Sequence, residues 1–275
     1  MSVLARFLSG LRASSGKQPE TAPTAETLPD ATCLVCRGSC PTLDSIDFNK
    51  NCEEARGLKL PDSGIRIRYC LCESCGFCFA PEFASWSFRD FEQRIYNDDY
   101  ESVDPDYKSA RPASNAEMVN QLFGSSRPTH VDYGGGSGLL SERLRAKGWS
   151  SRTFDPFVDR DVKVTDLGSF DLVTSFEVFE HVPDIDLLFT NLQSLVKPGG
   201  LILFSTLLSD GQIVRGQPLR WWYAAPRNGH ISLYSAQSLR VALSQRGFKL
   251  ASADANLHMA YRQVPAWARH ILPAG

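Results

Sequence analysis

The chain has 275 residues, 43% of them hydrophobic and 22% charged. That is enough apolar material for a sizeable core and too little charge for bulk disorder. Its 29 Lys and Arg nearly balance 31 Asp and Glu, which argues against a chain built to coat a phosphate backbone and against nucleic acid as partner. No apolar run reaches the roughly 20 residues that span a bilayer, so the expectation is a cytoplasmic protein without a transmembrane segment.

Residues 1–30 read as a disordered tail, with Ser, Thr, Ala and Pro concentrated over 14–29. Val3, Leu4, Phe7, Leu8 and Leu11 fit one face of a short amphipathic helix over 3–12. Such a helix could make weak contact with a membrane surface or dock on a partner. The acid-free start with Arg and Ser also fits an organelle transit peptide.

All eight cysteines fall between Cys33 and Cys78. Two CxxC knuckles, Cys33 with Cys36 and Cys72 with Cys75, are spaced to place four thiolates around a structural Zn²⁺. Clustering of this kind fits a reducing compartment. Cys40, Cys70 and Cys78 lie close enough to compete as ligands, and Cys52 is read as outside the set. A redox dithiol is the alternative. Residues 31–83 therefore read as a zinc-ribbon-like module with a short strand at 65–69. Residues 84–111 read as a connecting segment and pocket lid with one short helix. The module's basic residues do not outnumber its acids, which weakens a role in gripping RNA.

From residue 112 to 275 the pattern alternates. A helix is predicted over 112–123, a buried strand over 129–133, and a helix over 139–147 stopped by Gly148. Strands follow in 151–157, in 162–167 and over 170–176. Ile185, Leu188, Leu192 and Leu195 mark a helix. Lys197-Pro198-Gly199-Gly200 ends it, and 201–206 is a strand. Ser235 caps a helix ended by Gly247, and weaker strands follow near 248–254 and 258–264. Strand–helix alternation with apolar strands predicts an α/β fold, a parallel sheet covered on both faces. Ligands on such sheets sit beyond the carboxyl ends of the strands.

The first strand of this region runs into Asp132-Tyr133-Gly134-Gly135-Gly136-Ser137-Gly138. Glycines let the backbone turn sharply and approach a ligand. A dinucleotide fingerprint counted from Gly134 would need glycine at 139, which is Leu139. The spacing is DxGxGxG, and an acid at the strand end suits a cationic or hydroxyl-bearing ligand better than a phosphate.

The glycine loop, Phe154-Asp155-Pro156, Asp166-Leu167, and the segments 170–184 and 195–206 together resemble the class I S-adenosylmethionine-dependent methyltransferases. The resemblance covers roughly 112–255. It implies a Rossmann-like seven-stranded sheet and S-adenosylmethionine as cofactor. Asp132, Gly134, Gly135, Gly136 and Gly138 would form the cofactor loop. Asp155 would take the ribose hydroxyls, Asp166 and Leu167 the adenine, and Phe176 and Glu177 would lie beside the cofactor. After the fourth strand there is no Asn/Asp-Pro-Pro-aromatic tetrad, and no cysteine follows Cys78. These absences argue against amino-methylation of nucleic acid and against cytosine-C5 methylation.

Glu177-Val178-Phe179-Glu180-His181 resembles the ExxEH of small-RNA 2′-O-methyltransferases, which use it with a later histidine to bind a divalent ion, and of ubiquinone-pathway O-methyltransferases. His230 could supply that later histidine. Glu180, His181 and His230 are the candidate catalytic residues. A general base at His181, a structural role and metal ligation all stay open. The knuckles, with Tyr96 and Tyr100 beyond them, resemble bacterial methyltransferases that modify sugars or glycan precursors and carry a zinc-binding module. That likeness implies that Tyr96 and Tyr100 reach over the cofactor pocket; the alternative is that they pack the two domains together. The stretch after 264 is shorter than the C-terminal domain of the deoxysugar C-methyltransferases. The expected function is methyl transfer to an O or N of a small-molecule acceptor, a sugar or glycan precursor. An RNA methyltransferase and a non-catalytic scaffold are the rival readings.

Overall fold

The structure, a computed structural model, describes residues 29–272. The helix expected over 3–12 and nearly all of the expected tail lie outside the described residues.

The cysteine-rich segment opens with a two-stranded ribbon, β1 (Ala31–Thr32) and β2 (Ser39–Cys40). Next come β3 (Thr42–Asp47), β4 (Arg66–Leu71) and β5 (Cys78–Phe79), paired antiparallel in the order β3-β4-β5. Ile67, Tyr69 and Leu71 of β4 alternate into a core shared with Phe83, Phe91 and Ile95. Two short helices fill the expected one-helix connection, α1 (Phe88–Arg94) and α2 (Tyr100–Val103). A reciprocal Ser87–Asp90 capping box starts α1.

The larger layer follows as α3 (Ala110–Phe123), β6 (His130–Tyr133), α4 (Leu139–Ala146), β7 (Ser151–Phe154), β8 (Phe170–Phe176), α5 (Ile185–Leu195), β9 (Val196–Ser205), β10 (Ser232–Leu233), α6 (Ala236–Ser244), β11 (Lys249–Ser252) and β12 (Leu257–Tyr261). Its sheet has the order β11-β12-β9-β8-β6-β7. The four strands from β9 to β7 are parallel and the last two antiparallel. Alternate residues face opposite layers. Leu172, Leu201 and Leu203 pack with α3 and α4, while Val173, Ile202 and Phe204 pack with α5 and α6. From β6 the chain runs out to β7 and then crosses back to β8. The sheet therefore reverses order between β6 and β8, where α/β sheets hold their ligands.

Two expectations change. The strand expected in 162–167 is a 3₁₀ turn, Val164–Leu167. Val164 and Leu167 are its half-buried members and their neighbours are exposed. That i, i+3 spacing suits one face of a 3₁₀ turn and not the alternation of a strand. The sheet thus has six strands among the described residues, where seven were expected. In addition, β9 begins directly after α5, and Lys197–Gly200 loop out between the pairs Phe170–Val196 and Leu172–Leu201.

The two sheets are stitched together. Ser232 and Leu233 of β10 pair with Phe79 and Cys78 of β5. Beside them Ala80 N donates to Ile231 O at 2.9 Å, and Ile231 N donates to Glu180 O at 2.8 Å. Under this seam Phe179 is fully buried, stacked on Phe204 with centroids 4.3 Å apart and edge-on to Phe189. We expect Phe179→Ala to lower unfolding free energy by about 3–5 kcal/mol in urea denaturation, the usual loss for an aromatic removed from a packed core.

Candidate active site

The glycine loop leaves β6 with Gly134, Gly136 and Gly138 all at positive φ (77°, 54° and 84°). A Cβ on Gly134 would lie 2.4 Å from Val178 Cγ2, so the loop sits directly on the segment that follows β8. At Gly136 a Cβ would meet nothing within 4 Å. The loop is closed on its protein side and open on the other, the cradle a ligand needs.

Asp155, just past β7, accepts from Gly136 N at 2.8 Å and from Phe157 N at 2.8 Å. Its carboxylate is thereby fixed at the open face of the loop. Asp132 is placed differently: it is buried beneath the loop, and its Oδ2 would touch a Cβ on Gly135 at 2.5 Å. Burial, with the charge of Asp155 adding to it, pushes its carboxyl up to about 7. The Thr174 hydroxyl donates to Asp132 Oδ1 at 2.6 Å and lies 2.9 Å from His130 Nε2, while His130 Nδ1 lies 2.7 Å from Ser151 Oγ. This chain ties β7, β6 and β8 together under the loop. Phe176 is half-buried at the end of β8. Asp166 is exposed and Leu167 half-buried in the 3₁₀ turn.

Glu177 has φ of 52°, a strained conformation for a side chain with a Cβ. The strain is held by a closed ring: Glu177 N donates to Ser205 Oγ at 2.9 Å, and that hydroxyl donates to Glu177 Oε1 at 2.7 Å. The turn swings Val178 onto Gly134 and sends Glu180 inward. Glu180 is fully buried; its Oε1 accepts from Tyr223 OH at 2.6 Å and its Oε2 has no partner. Desolvation, then repulsion from Glu177, raises its carboxyl well above the usual range.

His181 Nε2 lies 3.8 Å from Glu180 Oε1, and its Nδ1 is buried without a hydrogen-bond partner. Burial lowers its imidazole to about 4, and the nearby Arg111 works in the same direction. The His230 ring stands 4.8 Å from it and is held well below its ordinary value, first by burial and then by His181. Both histidines are neutral at pH 7. Ligand atoms of Glu180, His181 and His230 lie within 4.8 Å of one another.

Tyr96 is half-buried, its ring 6.2 Å from His181 and 5.2 Å from Phe157. Tyr100 stands behind it, buried and donating to Asn228 O at 3.3 Å. Tyr223 belongs to the Trp221-Trp222-Tyr223 run, which the sequence offers as a stacking face for a sugar with at least one ring in the core; a hydrogen bond from Tyr223 to Glu180 is not legible there. Trp221 and Tyr223 turn inward, while Trp222 is 50% exposed. Arg111, paired through its two terminal nitrogens with Asp104 at 2.7 and 3.1 Å, was also missed.

The four knuckle cysteines meet as predicted by spacing. Cys33 and Cys75 Sγ are 3.6 Å apart and Cys36 and Cys72 Sγ 3.4 Å, with all four atoms within 4.8 Å of one another. Sulfurs about 2.3 Å from a tetrahedral Zn²⁺ stand about 3.8 Å apart, so the arrangement fits one such ion. Amides of Cys36, Ser74 and Cys75 point at the Cys33 and Cys72 sulfurs, as groups supporting thiolates do. Cys52 lies elsewhere, 3.7 Å from His230 Nδ1.

A model of a methyltransferase domain matches residues 107–253, just over half of the chain. Among curated proteins, a ubiquinone biosynthesis O-methyltransferase of Bordetella avium is 31% identical, over 33% of this chain and 48% of that protein. One of the same description from Chromobacterium violaceum is 35% identical, over 28% of this chain and 43% of that one. The chain spans about half the length of these relatives. Among solved structures, the 1,6-didemethyltoxoflavin-N1-methyltransferase of Burkholderia thailandensis aligns with TM-score 0.46 at 15% identity, covering 74% of this chain and 96% of that chain.

Burial holds His130 down to about 3, whereas an unfolded histidine takes its proton near 6.5. Its contribution to stability is therefore full above pH 6.5 and shrinks as pH falls towards 3. By pH 5 the loss is about 2 kcal/mol. We expect His130→Gln to flatten the acid limb of stability against pH by about that amount, measured by urea denaturation between pH 7.5 and 5.

Proposed function

The chain belongs to the methyltransferase-domain family, and we propose that it transfers a methyl group from S-adenosylmethionine to a hydroxyl oxygen of a small molecule. One observation carries the reading: the open face at Gly136, with the Asp155 carboxylate held against it, lies at the same sheet end as the buried Glu180–His181–His230 cluster. Asp155 would bind the ribose hydroxyls, the glycine loop would support the rest of the cofactor, and Tyr96 would close over it. Bound there, the cofactor supplies an already activated methyl electrophile.

The work left to the chain is alignment and proton removal. His181 is the proposed base. Its imidazole is neutral at pH 7, as a group that is to take the acceptor's proton must be. Glu180 stands behind that imidazole, its Oε1 3.8 Å from Nε2 and accepting from Tyr223, and burial raises its carboxyl and so favours the neutral form. The relatives named as O-methyltransferases support oxygen over nitrogen. A sugar or glycan precursor is the narrower form of the proposal, with the exposed Trp222 as its stacking surface.

We also propose that Cys33, Cys36, Cys72 and Cys75 hold a structural Zn²⁺. The purified chain should carry about one zinc by elemental analysis, and Cys72→Ser should lose it together with thermal stability.

Titration with S-adenosylhomocysteine tests the cofactor site. Asp155→Ala should weaken binding roughly 10–100-fold, the equivalent of losing hydrogen bonds to a charged group. Unchanged affinity in that variant would contradict the assignment. With a hydroxyl acceptor, His181→Ala should lower turnover by about 10²-fold or more and leave that affinity in place.

A further inference from the structure

His230 lies inside the matched domain, yet what fixes it comes from the cysteine-rich segment before that domain. Its Nδ1 lies 2.8 Å from the carbonyl of Tyr223. A carbonyl only accepts, so Nδ1 carries the proton and Nε2 keeps the lone pair. The Tyr223 carbonyl belongs to the turn 221–224, and that turn is pinned by Lys50. The Lys50 ammonium donates to Trp221 O at 2.6 Å and to Ala224 O at 2.5 Å.

The contact continues along both chains. Arg227 N donates to Lys50 O at 3.2 Å, and Cys52 N donates to Asn228 Oδ1 at 2.9 Å. From β4, the fully buried Tyr69 donates its hydroxyl to the carbonyl of His230 at 2.7 Å. The turn that carries the ring's partner and the backbone carbonyl of this histidine are thus each held by a residue between 50 and 69. Placing the Lys50 charge here also disfavours an imidazolium at position 230.

We infer that Lys50 is a positioning residue for His230: by holding the turn 221–224 it aims the Tyr223 carbonyl at Nδ1 and leaves Nε2 as the basic nitrogen of a ring that stands 4.8 Å from His181. The inference rests on the reading of His230 as part of the acceptor site. Lys50 touches neither the glycine loop nor Asp155. It sets which nitrogen of one imidazole is available, and this distinguishes it from a residue that merely glues two segments together.

The test is ¹⁵N imidazole NMR on the full, metal-loaded chain, which has five histidines, in parallel with S-adenosylhomocysteine calorimetry. In the wild type His230 should show a single Nδ1–H tautomer. In Lys50→Met, which keeps the bulk and loses the donors, that signature should be lost for His230 while the other four histidines keep theirs. Lys50→Arg should restore it at least in part. Affinity for S-adenosylhomocysteine should stay within threefold throughout. A single Nδ1–H tautomer persisting in Lys50→Met would overturn the inference, and so would an equal disturbance of all five histidines. If Lys50→Met does not fold, Lys50→Gln, too short to reach both carbonyls, decides the question by the same criteria. A wild type that failed to bind S-adenosylhomocysteine would remove the methyltransferase reading and leave the tautomer result standing.

Discussion

The seam between β5 and β10 is the constraint on which the rest of the molecule depends. Two residue pairs join the cysteine-rich sheet to the segment before α6. From there Ile231 reaches across to Glu180. The cysteine knuckle grips the same place, since the Ser235 hydroxyl that caps α6 also donates to Cys75 O at 2.6 Å. A short ladder of this kind is weak alone. It holds because Phe77, Phe79, Phe179, Tyr234 and Leu239 bury a common core beneath it. The module is therefore a wall of the candidate site, continuous with it through backbone hydrogen bonds.

Behind that wall the electrostatics follow from exclusion of water. Burial pushes the Glu180 and Asp132 carboxyls up and the three imidazoles at 130, 181 and 230 down. Each shift favours the neutral form, as a low-dielectric interior requires. Neutral histidines beside the glycine loop can accept a proton, and the neutral form that burial favours at Glu180 keeps its hydrogen bond to Tyr223 without repelling Glu177. The strained backbone at Glu177 fits this arrangement. It lets one short segment press Val178 on the glycine loop and still turn Glu180 into the interior.

Much of this was legible in the amino-acid sequence. The apolar strands over 130–133, 170–176 and 201–205 and the capped helix after Ser235 could be read because period and punctuation agree there. The two CxxC pairs predicted their own meeting. What could not be read depends on partners distant in the chain. β10 is two residues long, and only β5, some 150 residues earlier, makes it a strand. The segment 162–167 has the apolar content of a strand, but nothing in it says that Val164 and Leu167 alone turn inward. Asp132 reads as a ligand-facing acid, yet it lies beneath the loop because Thr174 and Gly135 leave it room only there. Lys50 and Tyr69 looked like ordinary module residues, since their contacts are to carbonyls at 221, 224 and 230.

The most direct measurement is a crystal structure of the chain with S-adenosylhomocysteine. Ribose hydroxyls should lie on Asp155, the rest of the cofactor along Gly134–Gly138, and the sulfur should face Tyr96 and the Glu180–His181–His230 cluster. A ligand bound away from Asp155, or a sulfur turned away from that cluster, would contradict this arrangement.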